Sequence, residues 1–124
     1  MCIRIMKLCK IRMIFKRINK KYKRSNDRIR EIDCENLKEL IKSNADISIV
    51  DIRSPQEYEE KRIKNAINIP LYDLKKNADR ILTNKDRLIV LYCGCGIRSK
   101  KAYKILEKKG YSNLYSLAGG IDEI

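Results

Sequence analysis

The 124-residue chain contains no histidine and no tryptophan, one phenylalanine (Phe15) and two prolines. Without histidine, the commonest general base and the commonest metal ligand are both missing. Chemistry therefore has to run on cysteine, carboxylate, lysine, arginine, tyrosine or backbone groups. Long apolar runs are missing as well. Arg4, Lys7, Lys10, Arg12 and Lys16 interrupt every stretch near the start, where a secretory leader needs an unbroken run of roughly 7–15 apolar residues. The same interruptions exclude a transmembrane span. Cys2, Cys9, Cys34, Cys93 and Cys95 are an odd, irregularly spaced set, which makes a poor disulfide framework, so the cytoplasm is the expected location. Cys93 and Cys95 have no second pair at metal-ligand spacing, so no zinc site is expected.

What is abundant is positive charge, with a net +13. It is concentrated at one end. Residues 1–30 carry twelve Lys/Arg against Asp27, whereas residues 31–124 carry seventeen basic and fifteen acidic side chains. The body therefore gives no electrostatic argument for a polyanionic partner. Residues 1–28 read as a basic leader in which Lys and Arg fall on every helical face. A solvated, flexible extension is the plainer reading, and an arm contacting an anionic membrane or nucleic acid is the functional one.

From Ile29 onward the pattern is regular, and 29–124 reads as one domain. Short apolar strands are expected at Ile29–Ile32, Ile47–Val50, Ala66–Ile69, Leu88–Tyr92 and Asn113–Leu117. Between them lie helical patterns: one capped by Asp33 with Leu37, Leu40 and Ile41 on a face, a short one after Ser54-Pro55, one over Leu71–Leu82, and a lysine-rich one over Ser99–Lys109 closed by Gly110. Alternation of this kind implies an α/β fold, a mainly parallel sheet with helices on both faces. In such sheets ligands bind at the carboxyl ends of strands. Asp51-Ile52-Arg53 and Cys93–Arg98 both fall there.

The segment Cys93-Gly94-Cys95-Gly96-Ile97-Arg98-Ser99 has a specific mechanical reading. A strand runs out, a loop with two glycines follows, and a helix begins. Glycines let backbone amides turn inward around the sulfur. The helix N-terminus adds partial positive charge, which stabilises a thiolate or persulfide anion, and Arg98 supplies a cation at the rim. A buried, inert cysteine is the competing reading, but the exit of a strand suits a reactive thiol better than a core position.

At this loop the chain resembles the rhodanese-like family, over about residues 29–124. The matching residues are Cys93-x-x-Gly96-x-Arg98-Ser99 after Ile89-Val90-Leu91-Tyr92, then Val50-Asp51-Ile52-Arg53-Ser54-Pro55-Gln56-Glu57-Tyr58, Ala66-Ile67-Asn68-Ile69-Pro70 and Leu117-Ala118-Gly119-Gly120-Ile121. The resemblance implies a five-stranded sheet and a single-domain sulfurtransferase. Sulfane sulfur would pass from thiosulfate or a persulfide donor to cyanide or a thiol, a protein thiol included, through a Cys93 persulfide held by residues 94–98. No cofactor is implied. Related phosphatases of this fold carry one more residue in the loop, so the shorter interval from Cys93 to Arg98 points to sulfur rather than phosphate. A non-catalytic module that presents a persulfide or docks a partner is the alternative.

Four residues carry further expectations. Asp51 is expected to brace the loop or cap the following helix, and Arg53 to contact an anion. Glu57 is expected to pair with Arg53 or Arg98, and Cys95 to resolve a persulfide or simply to occupy a tolerant loop position. The chain departs from the family at Lys61-Arg62-Ile63-Lys64-Asn65-Ala66, where Gly-His-Ile-Pro-Gly-Ala is usual, and after Gly120, where a full C-terminal helix is not expected.

Overall fold

The computed structural model describes residues 10–17 and 29–124. Residues 10–17 form helix α1. There follow β1 (Glu31–Ile32), α2 (Cys34–Lys42), β2 (Ile47–Asp51), α3 (Pro55–Glu60), β3 (Ile67–Asn68), α4 (Leu71–Ile81), β4 (Leu88–Tyr92), α5 (Ile97–Lys108) and β5 (Leu114–Leu117). The strands form one sheet in the order β1-β5-β4-β2-β3, and every pairing is parallel. β4 lies near the middle and is buried along its whole length. That explains its uninterrupted apolar sequence, because a strand covered on both faces has no polar side to show.

Alternate residues of β4 serve opposite layers. Ile89, Leu91 and Cys93 pack with Leu74 and Ala78 of α4 and with Ala102, Tyr103 and Leu106 of α5. Val90 and Tyr92 pack with Leu37 and Leu40 of α2 and with Tyr115 and Leu117 of β5. Helices therefore cover both faces, as the alternating pattern implies. In the β2–β4 register Val50 sits beside Leu91 and Asp51 beside Tyr92. The two central strands thus end level, and their carboxyl edge presents Asp51 next to the residue that precedes Cys93.

Local signals account for the helix boundaries. Asp33 caps α2 by accepting the Asn36 N–H at 2.8 Å, and Ser54 with Glu57 forms a reciprocal capping box on α3, with Pro55 in the first turn. Helix α5 begins at Ile97, two residues before the start expected at Ser99. Gly96, at φ 102°, turns the chain into it, a conformation that side-chain-bearing residues rarely adopt. After Gly120 the described chain makes a single 3-10 turn, Ile121–Glu123. Among the described residues no helix is long and apolar enough to cross a membrane.

Residues 10–17 correct the reading of a uniformly solvated leader. Within this stretch Ile11, Ile14 and Phe15 do share a face, at i, i+3 and i+4. Ile14 is completely buried among Ile32, Leu37 and Leu40, with Ile11 and Phe15 packed beside it. The Phe15 ring lies 5.9 Å from that of Tyr115, and Arg17 pairs with Glu39 at 2.6 Å. The rest of the expected leader, 1–9 and 18–28, lies outside the described residues. Truncating Ile14 removes buried methylenes and leaves a cavity under the helix. Ile14→Ala is expected to lower stability by about 2 kcal/mol, read as a shifted urea midpoint with an unchanged slope.

Candidate active site

The site is built where β4 ends and α5 begins. Cys93 follows β4 directly and is fully buried. Its Sγ accepts two backbone hydrogen bonds, from the N–H of Gly96 at 3.0 Å and of Ser99 at 3.4 Å. Gly96 is the cap position of α5 and offers no capping side chain. The sulfur takes that place. It receives an N–H from the third helical residue, as a serine or aspartate oxygen would at an ordinary helix start. This also explains the early start of α5: a sulfur reaching back from Cys93, not Ser99, satisfies the first turn. The N–H pair and the end of a twelve-residue helix favour negative charge on the sulfur.

Ser99 ties the loop to the sheet. Its hydroxyl donates to the Gly96 carbonyl at 3.0 Å and lies 2.7 Å from Ser116 Oγ, both serines being buried. A hydroxyl has one proton, so with Ser99 committed to Gly96 it is Ser116 on β5 that donates to Ser99. The turn after β5 holds the other side of the loop. Ile121 N donates to the Cys93 carbonyl at 2.9 Å and Asp122 N to the Gly94 carbonyl at 3.1 Å. For this the turn must approach closely: a Cβ at Gly120 would overlap the carbonyl oxygens of both Cys93 and Gly94. The roles of Ser116 and Asp122 have no separate signal in the sequence; the motif Leu117-Ala118-Gly119-Gly120-Ile121 is the hint of the contact.

At the rim, Arg98 and Glu57 form a two-point ion pair, Nη1 to Oε1 and Nη2 to Oε2, each 2.9 Å. Of the two partners expected for Glu57, the structure selects Arg98. Glu57 is further fixed by accepting hydrogen bonds from Ser54 N and Ser54 Oγ at 3.2 and 3.1 Å. The Arg98 guanidinium, with these contacts, holds the Glu57 carboxyl down at about 2, and Glu57 in turn raises Arg98. Ile97 and Cys95 are exposed beside this pair. Lys100, near the loop, pairs with Glu31 at 3.4 Å.

Asp51 ends β2 and Arg53 follows it, and Arg53, expected to contact an anion, is paired here with Asp51. Its guanidinium is buried and doubly engaged by Asp51, with Nη2 to Oδ2 at 2.8 Å, and it also donates to the Lys61 carbonyl. Burial works against its charge, but Asp51 outweighs burial and the pKa rises. Asp51 braces Arg53 rather than capping α3, a task taken by Ser54. Asn68 donates to the carbonyls of Asp51 and Arg53 at 3.0 Å each. Tyr92, kept protonated by burial, packs its ring 5.7 Å from the Arg53 guanidinium and accepts the Ile63 N–H. These groups are bound to one another where β2, β3 and β4 end.

The family model for the rhodanese-like domain matches residues 33–124. The chain belongs to the rhodanese-like domain family. A sulfurtransferase of Allochromatium vinosum is 36% identical over 93 residues, which cover 75% of this chain and 85% of that protein. The thiosulfate sulfurtransferase PspE of Escherichia coli is 33% identical over 75 residues, 60% of this chain and 71% of that protein. Among solved structures, a rhodanese-related protein from Thermoplasma volcanium superposes with a TM-score of 0.65 at 30% identity, covering 75% of this chain and 87% of that one. The rhodanese-like sheet and its helices are thus the shared frame, and the four sequence motifs converge on it at the carboxyl edge.

Two outcomes test this site. Gly120→Ala forces a side chain against two backbone oxygens at φ 66°, so a stability loss of about 2–4 kcal/mol is expected by chemical denaturation. The second concerns acid. Glu57 has its folded pKa below the ordinary 4.5, at about 2, so its contribution is present above about pH 4.5 and is lost as pH falls toward about 2. The pair is more than one-third exposed, which limits the effect to about 1 kcal/mol or less. Stability curves of wild type and Glu57→Gln should therefore converge as acid is added.

Proposed function

We propose that the protein is a single-domain sulfurtransferase that carries sulfane sulfur on Cys93. The observation that supports this reading most directly is the Cys93 sulfur seated in the first turn of α5, accepting the N–H groups of Gly96 and Ser99. Relatives named as sulfurtransferases, one of them a thiosulfate sulfurtransferase, support the same class. In the first step the Cys93 thiolate attacks the outer sulfur of a donor, thiosulfate or a persulfide. A sulfur–sulfur bond forms on Cys93, the donor's own sulfur–sulfur bond breaks, and sulfite or a thiolate leaves with the electron pair. In the second step a thiol or cyanide attacks the outer sulfur of the Cys93 persulfide and restores the thiolate. The chemistry calls for no metal or organic cofactor.

Within this reading Cys93 is the catalytic residue, and the loop Gly94, Cys95 and Gly96 with the first turn of α5, Ile97, Arg98 and Ser99, receives the transferred sulfur. Asp51 and Arg53 are positioning residues. The free thiols of Cys34, Cys93 and Cys95 suit a reducing compartment such as the cytoplasm. A second reading, a module that presents a persulfide to one partner without turning over small acceptors, draws on the complete burial of Cys93. Intact mass spectrometry after incubation with thiosulfate or cysteine persulfide separates the possibilities. One added sulfur, absent in Cys93→Ala and removed by cyanide or a small thiol, is the expected result. A stable adduct that no small acceptor removes would favour the presenting module, and an unmodified protein with every donor would sink both.

A further inference from the structure

The rim of the site is charged in a way that bears on the donor. Two cations stand near the Cys93 loop: Lys100 is paired with Glu31, and Arg98 has both of its terminal nitrogens engaged by Glu57. Glu57 is not free to swing away, since Ser54 N and Oγ hold the same carboxylate in the α3 cap. A second carboxylate stands at the same rim. A Cβ placed on Gly94 would lie 3.5 Å from Arg98 Nη2 and 3.7 Å from Asp122 Oδ2, so both groups rest against one face of the loop. Beside them Ile97 exposes two-thirds of its surface. One guanidinium, two carboxylates and an exposed aliphatic side chain are poor company for a small dianion.

We propose that Glu57 is a specificity-determining positioning residue: by occupying Arg98 it turns the site away from inorganic dianionic donors and toward organic persulfides. This rests on the sulfur-carrier reading above and refines its donor. Thiosulfate brings two charges to the rim, and sulfite leaves with two, so the transition state needs an uncommitted cation next to the departing group. An organic persulfide makes a lighter demand. The Cys93 thiolate attacks the outer sulfur of RS–SH, the new Cys93 S–S bond forms as the donor S–S bond breaks, and RS⁻ leaves with the electron pair and takes a proton from water. The hydrogen on the outer sulfur stays with it, so the products are the Cys93 persulfide and a thiol. The carbon-bearing part of R has Ile97 to rest on.

Single-turnover loading of Cys93, followed by intact mass spectrometry on the full chain, gives a second-order rate constant for thiosulfate and for cysteine persulfide. Glu57→Gln keeps a carbonyl oxygen for the Ser54 contacts but removes the charge that neutralises Arg98. The ratio of thiosulfate to cysteine persulfide rate constants is expected to rise about tenfold or more in this variant. Adding Arg98→Ala should abolish that gain. A merely structural role for Glu57 would lower both rate constants and leave their ratio alone. Should Glu57→Gln fail to fold, Asp122→Asn provides the second arm, with an expected rise in the same ratio of about threefold. Wild-type loading from both donors with an unchanged ratio in the folded variants overturns the donor inference alone. Wild-type loading from neither overturns the sulfur-carrier reading and the donor inference together.

Discussion

The hydrogen bonds from Gly96 and Ser99 to the Cys93 sulfur set the terms for the rest of the molecule around them. A helix end leaves amide donors unsatisfied, and burying such an end requires a partner for them. Here the partner is the Cys93 sulfur. Stability and chemistry are therefore coupled in one contact: the group that completes the start of α5 is the group on which sulfur would be carried. An anion at that point is favoured by the same amides that need an acceptor.

Such an arrangement works only if the loop cannot relax away from the sulfur, and two separate elements hold it. β5 reaches the loop from one side through Ser116 and Ser99. The turn at Gly120 reaches it through backbone bonds to the Cys93 and Gly94 carbonyls. The buried Asp51–Arg53 pair packs against Tyr92, the last residue of β4 before Cys93. A buried ion pair with both charges hydrogen-bonded is retained more readily as a fixed frame than as a source of stability, since desolvation offsets most of its attraction. Arg53 was a natural candidate for binding an anion by sequence position, but its Nε and Nη2 are engaged by Asp51 and the Lys61 carbonyl. The cation at the rim is Arg98, and its charge is shared with Glu57.

The leader shows how composition can mislead. Averaged over residues 1–28, positive charge dominates and no stripe emerges. Over the eight residues 10–17 the spacing of Ile11, Ile14 and Phe15 is that of an amphipathic helix, and the hydrophobic gap it fills, between α2 and β5, exists only once the domain is assembled. Charge on the other faces does not oppose this docking, because those faces remain in water.

Periodicity alone determined the parallel α/β class and the extent of β4, and the glycine-rich exit from β4 singled out Cys93 as the candidate cysteine. The physical reason is local. A strand buried on both faces must be apolar throughout, a glycine-rich exit must follow a strand that ends at a site, and Asp33 and Ser54 announce their helices by side chains that bond within three residues. Tertiary structure decided everything that depends on which residues distant in sequence meet. It brought Glu57, forty-one positions earlier in the chain, to Arg98, joined Ser116 to Ser99, and placed the Gly120 turn against the Cys93 carbonyl. None of these contacts leaves a periodic trace in the chain, because each is settled by the packing of the whole sheet rather than by neighbours along it.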